Sequence, residues 1–282
     1  MSVVQVLKAA IQFSLPSTSH PLSGRIEEQL YKLKTSHSSS IALKLACLNE
    51  LYECVGDFLQ LPHTQQTLSR EHQKQYVEEA LNESLGLLDI CSVTRDFLLQ
   101  MRERVQGLES SVRRTRGGES CLNEIDTYMV SRKKLTKVIC KYLRNLKRSE
   151  KNCRKTTLAD YSDSVITTLK GAEEISLTVF ESILYFTMQS KAKSKPSGWS
   201  IVTKLLQSKH LSCKDEVEAN EMEMMDAELL VLKSSKNINQ LQNVLKGLEA
   251  MESNLQEAGE ELECVYRKLV KTRVSLLNIL NH

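Results

Sequence analysis

The sequence predicts an all-α protein, built as an elongated bundle of long antiparallel helices with coiled-coil-like packing. In residues 241–279, leucine returns every seventh residue, and an apolar or small residue follows three positions after each leucine. Such a repeat keeps one face of a helix against its neighbours along the whole helix. The chain of 282 residues also contains only four prolines and ten glycines. Because both residue types interrupt helices, this composition favours long helices over a sheet.

The leucine repeat defines a row of residues that we call the heptad seam. We predict that the seam lies inside the molecule, packed against the third and fifth predicted helices, and that the protein is mainly monomeric. The positions beside it carry few charges, whereas a two-stranded zipper typically has charges there. Gly247 and Gly259 weaken the helix and are expected where another helix crosses closely. The members of the seam are Leu241, Val244, Leu248, Met251, Leu255, Ala258, Leu262, Val265, Leu269, Thr272, Leu276 and Ile279.

The domain organisation follows from the composition of the two ends of the chain. Residues 1–24 are predicted to be an extended or partly disordered N-terminal segment, because two prolines disfavour helix there. Residues 25–282 are predicted to form a single helical bundle domain, with a hinge or linker near 191–198, where lysine, serine, proline and glycine cluster. We predict a cytoplasmic location. Since residues 1–26 contain no acidic residue and are rich in serine, organellar import remains an alternative, as does peripheral membrane association.

Five helices are predicted before the heptad seam, each from apolar residues at helical spacing. They cover residues 25–33, 41–58, 77–112, 122–148 and 158–186. Serines at 38–40 offer hydroxyl groups to the start of the second helix. In the fourth helix the apolar side is predicted to hold Ile125, Tyr128, Leu135, Val138, Ile139, Tyr142 and Leu146. In the fifth, the most apolar part contains Glu181 and is shorter than the roughly 20 residues of a membrane span, so a buried helix is predicted.

The sequence offers no arrangement that is typical of catalysis or metal binding. It has no phosphate-binding glycine loop, no HExxH and no GxSxG. His63 lies beside Pro62 at the end of a predicted helix, where a histidine usually caps a helix or lies in an interface. The eight cysteines are scattered singly, without CxxC, and are predicted to be reduced and buried. We therefore predict a protein that is not an enzyme, with no catalytic residue, no cofactor and no metal.

The charges are unevenly distributed along the chain. Residues 113–155 contain 14 Lys or Arg against four Asp or Glu, whereas residues 215–263 contain 13 Asp or Glu against three lysines. A basic stripe on the fourth helix and its extension is the candidate interaction site: Lys137, Lys141, Arg144, Arg148, Lys151 and Lys155. Such a stripe could bind nucleic acid, an anionic membrane surface or an acidic protein. The alternative that we favour is that these cations face solvent or the acidic block of the same chain.

Several short segments carry a resemblance to a known family. They are SLPSTSHP at 14–21, LYEC at 51–54, LPHTQQTL at 61–68, LLDIC at 87–91, TRD at 94–96, RR at 113–114 and RKK at 132–134. Their residues and order resemble the plant-specific BYPASS-related family over nearly the whole chain. One departure is Thr18, where members of that family more often have arginine. The resemblance implies an all-helical plant protein without established catalytic activity, associated with root and shoot development.

These observations predict a non-enzymatic helical scaffold or interaction protein with a role in plant root and shoot development. The long helical faces and the missing catalytic motifs favour protein partners, and the developmental role is implied by the resemblance alone. The alternative is a protein whose basic stripe binds nucleic acid or an anionic membrane surface. A steep salt dependence of binding would distinguish that alternative.

Overall fold

The regular structure of the chain is helical wherever it is described. The computed structural model describes residues 20–35, 40–115, 119–153, 164–188, 221–235 and 238–281. Within these ranges the helices are α1 (Pro21–Thr35), α2 (Ile41–Leu59), α3 (Pro62–Leu68), α4 (Lys74–Thr115), α5 (Glu119–Cys153), α6 (Ser164–Met188), α7 (Glu221–Ser235) and α8 (Ile238–Asn281), with a short 3-10 helix at Glu71–Gln73. The all-α prediction is confirmed.

Two long helices, α4 with 42 residues and α8 with 44, form the spine of the bundle. At 1.5 Å per residue each is about 60 Å long. They run antiparallel, because Ser84 bonds to Arg273 and Arg95 to Glu263. Helix α2 packs on the other side of α8 and runs parallel to it, with Asn49 bound to Glu261 and Gln60 to Ser275. Helices α4 and α6 also run parallel, with Lys170 over the ring of Tyr76 and Glu173 beside Glu83. The elongated bundle therefore combines antiparallel neighbours with these two parallel pairs.

The heptad seam of α8 lies in the core of the molecule. Eleven of its twelve members are buried, and Leu241 at the start is half-buried. The prediction that the fifth predicted helix packs on the seam is wrong, because α8 packs mainly against α4 and α2, whereas α6 packs against α4, α1, α2 and α5. The reason lies in α2, which has 11 buried residues among 19 and is apolar enough to contact α8 and α6 at once.

The helix starts follow local chemistry. The Ser40 hydroxyl accepts a hydrogen bond from the Leu43 backbone N–H at 3.4 Å, as predicted for the start of α2. Helices α1 and α3 begin at Pro21 and Pro62, since proline lacks the N–H that the first helical turn leaves unpaired. Helix α1 thus starts four residues before the predicted boundary at residue 25. The predicted linker at 191–198 lies outside the described residues.

The two glycines of α8 differ in their surroundings. A methyl group on Gly247 would collide with the end of the Met225 side chain on α7, so a helix does cross closely there, as predicted. A methyl group on Gly259 would meet no atom within 4 Å, so the corresponding prediction is wrong for this residue. Gly259 instead lines an open groove between α4 and α8.

Candidate functional site

Helix α5 presents two chemically different sides, and both belong to the candidate site. Its inner side packs against α4, α6 and α7. The buried residues of that side recur every three or four positions: Cys121, Ile125, Tyr128, Arg132, Leu135, Ile139 and Leu143. A charged residue thus occupies a position in the middle of an otherwise apolar row, which requires a partner for its charge.

Arg132 finds that partner inside the bundle. Its side chain is only 2% exposed, and its Nε donates to both carboxylate oxygens of Asp226 on α7, at 2.9 and 3.0 Å. One of its Nη atoms donates to the backbone carbonyl of Thr187, 2.8 Å away, in the last turn of α6. The carbonyls of a last helical turn lack partners within the helix. One guanidinium therefore joins α5 to α7 and also satisfies the end of α6.

Burial and ion pairing have opposite effects on the pKa of Asp226 at this junction. Burial raises the pKa of Asp226, and the positive charge and hydrogen bonds of Arg132 act in the opposite direction. Burial also raises the pKa of Tyr128, whose hydroxyl finds no hydrogen-bond partner among the described residues. A buried ion pair contributes little net stability, but removal of one partner leaves an uncompensated charge. The junction therefore fixes the arrangement of the helices and offers no reactive group to a substrate.

The outer side of α5 is cationic. Lys137, Lys141 and Arg144 of the predicted stripe are exposed, and so are Lys133 and Lys134. Val130 and Val138 lie among them and are 53% and 55% exposed. The prediction that Val138 lies on the apolar side of the helix is therefore wrong. Arg148 and Lys151 belong to α5 but their side chains are not described, and Lys155 lies outside the described residues.

Four acidic residues of the acidic block form ion pairs away from the basic stripe. Glu249, Glu252 and Glu263 of α8 form ion pairs with Arg113, Arg102 and Arg95 of α4. Helix α7, which does contact α5, directs Asp226 to the buried Arg132 and Lys233 to Asp126. In the described part of the chain these pairs join α4 to α8 and α5 to α7. They do not lie over the exposed lysines.

A second cluster of ionisable groups lies between α4 and α6. Glu173 of α6 shares a hydrogen bond with Glu83 of α4 and lines a small cavity of about 40 Å³ with Tyr52 and Thr272. Burial and the neighbouring Glu83 raise the pKa of Glu173 to about 9. The Thr272 hydroxyl is buried without a hydrogen-bond partner in the described structure. Such a cavity accommodates water and is too small for an organic substrate.

The side chains that could bind a metal ion are scattered over the described residues. No group of three or more His, Cys, Asp or Glu side chains lies close enough to hold a metal ion among them. The described cysteines are unpaired by disulfides; Cys54, Cys91 and Cys121 are buried, and Cys264 is exposed on α8. The expectation that cysteines are buried thus fails for Cys264.

Comparison with known proteins places this chain in a family. A family model described as Protein BPS1 matches residues 44–279, which is most of the chain. The chain belongs to the BPS1 family. No curated protein and no solved structure matches it. Membership in the BPS1 family indicates a role in plant development, and the family is not known as an enzyme family.

The segments that resemble the BPS1 family have structural roles in the bundle. In the segment at 87–91 the Cys91 thiol points to the Leu262 carbonyl of α8, 3.8 Å away. In the segment at 94–96 the Thr94 hydroxyl bonds within α4, and Arg95 reaches Glu263. In the segment at 132–134, Arg132 is the buried junction and the next two lysines are exposed. In these three segments, Cys91, Arg95 and Arg132 contact neighbouring helices.

Sequence reasoning predicted the basic stripe in α5 but missed Arg132, Asp226 and Glu173. A signal for Arg132 is present, because it falls in the apolar phase between Tyr128 and Leu135. No corresponding signal marks Asp226, which lies in an acidic stretch of α7 where several carboxylates look equivalent. None of the described helices is long and apolar enough to cross a membrane.

Proposed function

We propose that this BPS1-family protein is a non-enzymatic helical scaffold that binds protein partners in the cytoplasm during plant root and shoot development. The observation that carries the proposal is a row of exposed apolar residues on α8. Val270, Val274 and Leu277 are 38%, 49% and 36% exposed, at a spacing of four and three residues. The same helix buries its heptad seam on the opposite side. A row with this spacing fits the apolar stripe of a partner helix.

The cavities support the non-enzymatic part of the proposal. Two of them hold only about 30 and 40 Å³, whereas substrate sites typically hold several hundred. A wider groove of about 460 Å³ between α4 and α8 is lined by Arg95, Arg102 and Arg267. These arginines are bound to Glu263 or Glu252. Because its cations are already paired, the groove favours a surface role over binding of an anionic substrate.

Affinity purification from root and shoot tissue, followed by mass spectrometry, tests the proposal. A double variant with Val270→Asp and Val274→Asp is compared with the wild-type chain. A matched control carries Leu43→Asp and Leu230→Asp, at residues that are 52% and 51% exposed on other helices. We expect a reproducible set of partners that the control retains and the double variant loses. If all three proteins bring down only the background of an empty tag, the scaffold proposal fails.

A monomer is part of the proposal, because the seam that could make a coiled coil is occupied within the chain. Light-scattering mass in solution measures this directly. A wild-type dimer would show that a second copy is the partner of the exposed row, provided that the double variant is monomeric.

A further inference from the structure

The outer side of α5 forms a surface that we call the basic face, defined by Lys133, Lys134, Lys137, Lys141 and Arg144 with Val130 and Val138. Over residues 127–147 the chain contains seven Lys or Arg and no Asp or Glu. Two of these cations are engaged inside the bundle. Arg132 is paired with Asp226, and Lys147 lies 3.8 Å from Glu181 and over the ring of Tyr185. Lys133, Lys134, Lys137 and Lys141 are exposed, and Arg144 is exposed while its Nε donates to the Cys140 carbonyl.

We propose that the basic face binds the anionic surface of a phospholipid membrane. This goes beyond the scaffold role and does not depend on it, because it concerns another helix and another class of partner. An anionic surface attracts each nearby lysine or arginine and adds roughly fivefold in affinity per charge. Five exposed cations along about 17 Å of one helix are sufficient for reversible attachment of a folded domain.

In the described part of the chain, several acidic side chains that could neutralise the basic face are paired with other cations. In the acidic block at 215–263, Glu249, Glu252 and Glu263 of α8 form ion pairs with α4. Asp226, the acid of α7 that reaches α5, is bound to the buried Arg132. Asp126, at the N-terminal end of the same side of α5, is bound to Lys233.

The composition of the basic face favours lipid over nucleic acid. Four of its five cations are lysines, which act as point charges without a fixed hydrogen-bond geometry and suit a surface of diffuse negative charge. Proteins that bind single-stranded nucleic acid stack bases on exposed aromatic rings. The two aromatic residues in 127–147 are Tyr128, which is buried, and Tyr142, which is half-buried. The basic face therefore lacks a stacking platform.

The exposed valines also fit a membrane. Val130 lies one turn before the first lysine of the face, and Val138 lies between Lys137 and Lys141. Apolar side chains flanked by cations are typical of helices that lie in a membrane interface. An acidic protein partner would need a groove with walls for its own anchors, whereas the open depression of about 320 Å³ beside Val130 and Lys134 is lined by residues of α5 alone. The lysines can thus contact headgroups while the valines approach the acyl boundary.

The buried junction behind the basic face holds α5 in place. Arg132 joins α5 to α6 and α7, and the Thr136 hydroxyl donates to the Arg132 carbonyl. Because α5 is fixed from behind, the face is presented without a rearrangement of the helix, and the backbone of α5 need not be ordered on binding.

Vesicle sedimentation of the full chain tests the inference. The probes are vesicles of phosphatidylcholine alone and of phosphatidylcholine with phosphatidylserine. The test variant carries Lys134→Gln, Lys137→Gln and Lys141→Gln. The charge-matched control carries Lys74→Gln, Lys246→Gln and Lys271→Gln, at exposed lysines of α4 and α8. Circular dichroism melting checks that both variants remain folded.

We expect binding that requires phosphatidylserine, weakens with added salt and falls about 100-fold in the test variant but not in the control. Replacing Val130 and Val138 by serine is expected to give a smaller loss. Fluorescence polarisation with duplex and single-stranded nucleic acid is expected to give no difference between wild type and test variant. Absence of binding to anionic vesicles, or equal loss in both variants, overturns the inference. Submicromolar nucleic-acid binding that only the test variant loses assigns the basic face to nucleic acid instead.

Discussion

The α4–α8 pair and the α5–α7 pair are held together by different chemistry. Between α4 and α8, a continuous row of apolar side chains is buried, and the ion pairs lie at its edges. Between α5 and α7, the central contact is the buried ion pair of Arg132 and Asp226. Truncating an apolar side chain lowers the free energy of unfolding in proportion to the buried apolar area that is lost. Removing one partner of a buried ion pair instead leaves the other charge buried without a counter-charge. The first interface therefore supplies most of the stability, and the second specifies which helices meet.

The largest effect is expected from a charge placed in the apolar interface. Leu255→Asp puts a carboxylate at a seam residue that is 4% exposed, and we expect a loss of about 5 kcal/mol or more, which unfolds the domain. Circular dichroism melting measures it. Gln256→Asp, at the exposed neighbouring position, is the control and should stay close to wild type. A wild-type dimer that Leu255→Asp converts into a folded monomer would contradict the internal seam.

The next effect concerns the polar interface. Arg132→Met leaves Asp226 buried without its partner and is expected to lower the free energy of unfolding by about 3–5 kcal/mol. Adding Asp226→Leu should recover much of this loss, because both charges are then absent. Denaturant titration of the two single variants and the double variant gives the coupling energy. Lys133→Met, at the exposed next residue, should change stability by no more than about 0.5 kcal/mol. Additive losses in the double variant would contradict the coupling.

A pH-dependent effect is expected where α4 meets α6. Between the ordinary glutamate pKa near 4.5 and about 9, the folded chain keeps a proton on Glu173 that the unfolded chain releases. Stability contributed by this group therefore falls as pH rises through that window. The groups that face Glu173 are Glu83 on α4 and Lys170 and Glu174 on its own helix.

Glu173→Gln removes the titration, so we expect a melting temperature a few degrees higher than wild type at pH 8 and a flatter pH profile. Thermal melts across the window, with Glu174→Gln at an exposed position as the control, measure both. A wild-type profile that Glu173→Gln leaves unchanged would show that Glu173 is not protonated in the folded chain.

The smallest effect distinguishes the two glycines of α8. Gly259→Ala is expected to stabilise by about 1 kcal/mol, because alanine has the higher helix propensity and the added methyl group meets open space. Gly247→Ala gains the same propensity, but Met225 must move, so its net effect should be smaller or destabilising. Denaturant midpoints of the two variants measure the difference. Equal stabilisation would mean that α7 does not press on α8 at Gly247.

The two interfaces also differ in how far the sequence predicts them. The heptad seam is visible because seven-residue spacing reports one buried face, and eleven of its members are buried as predicted. The spacing does not identify the neighbouring helix, and so α2 was missed as a partner of the seam. An apolar pattern shows that one face of a helix is buried, but it does not show which other helix covers that face.

The candidate site was predictable only on its outer side. Exposed lysines repeat with helical spacing, and three members of the predicted stripe are indeed exposed. Val138 was assigned to the wrong side, because residues next to a buried row share its apolar character. The Arg132 junction depends on a contact across 94 residues of chain. Glu173 depends on a carboxyl group from another helix. The local sequence therefore does not predict the Arg132–Asp226 contact or the Glu173–Glu83 contact.

Arg132 contacts the helices on both sides of residues 189–220. It donates to the Thr187 carbonyl at the end of α6 and to the Asp226 carboxylate on α7. Helix α6 thus ends, and α7 begins, beside the same side chain. A single substitution at Arg132 therefore acts on the last turn of one helix and the first turns of the next, although 32 residues of sequence separate the two helices.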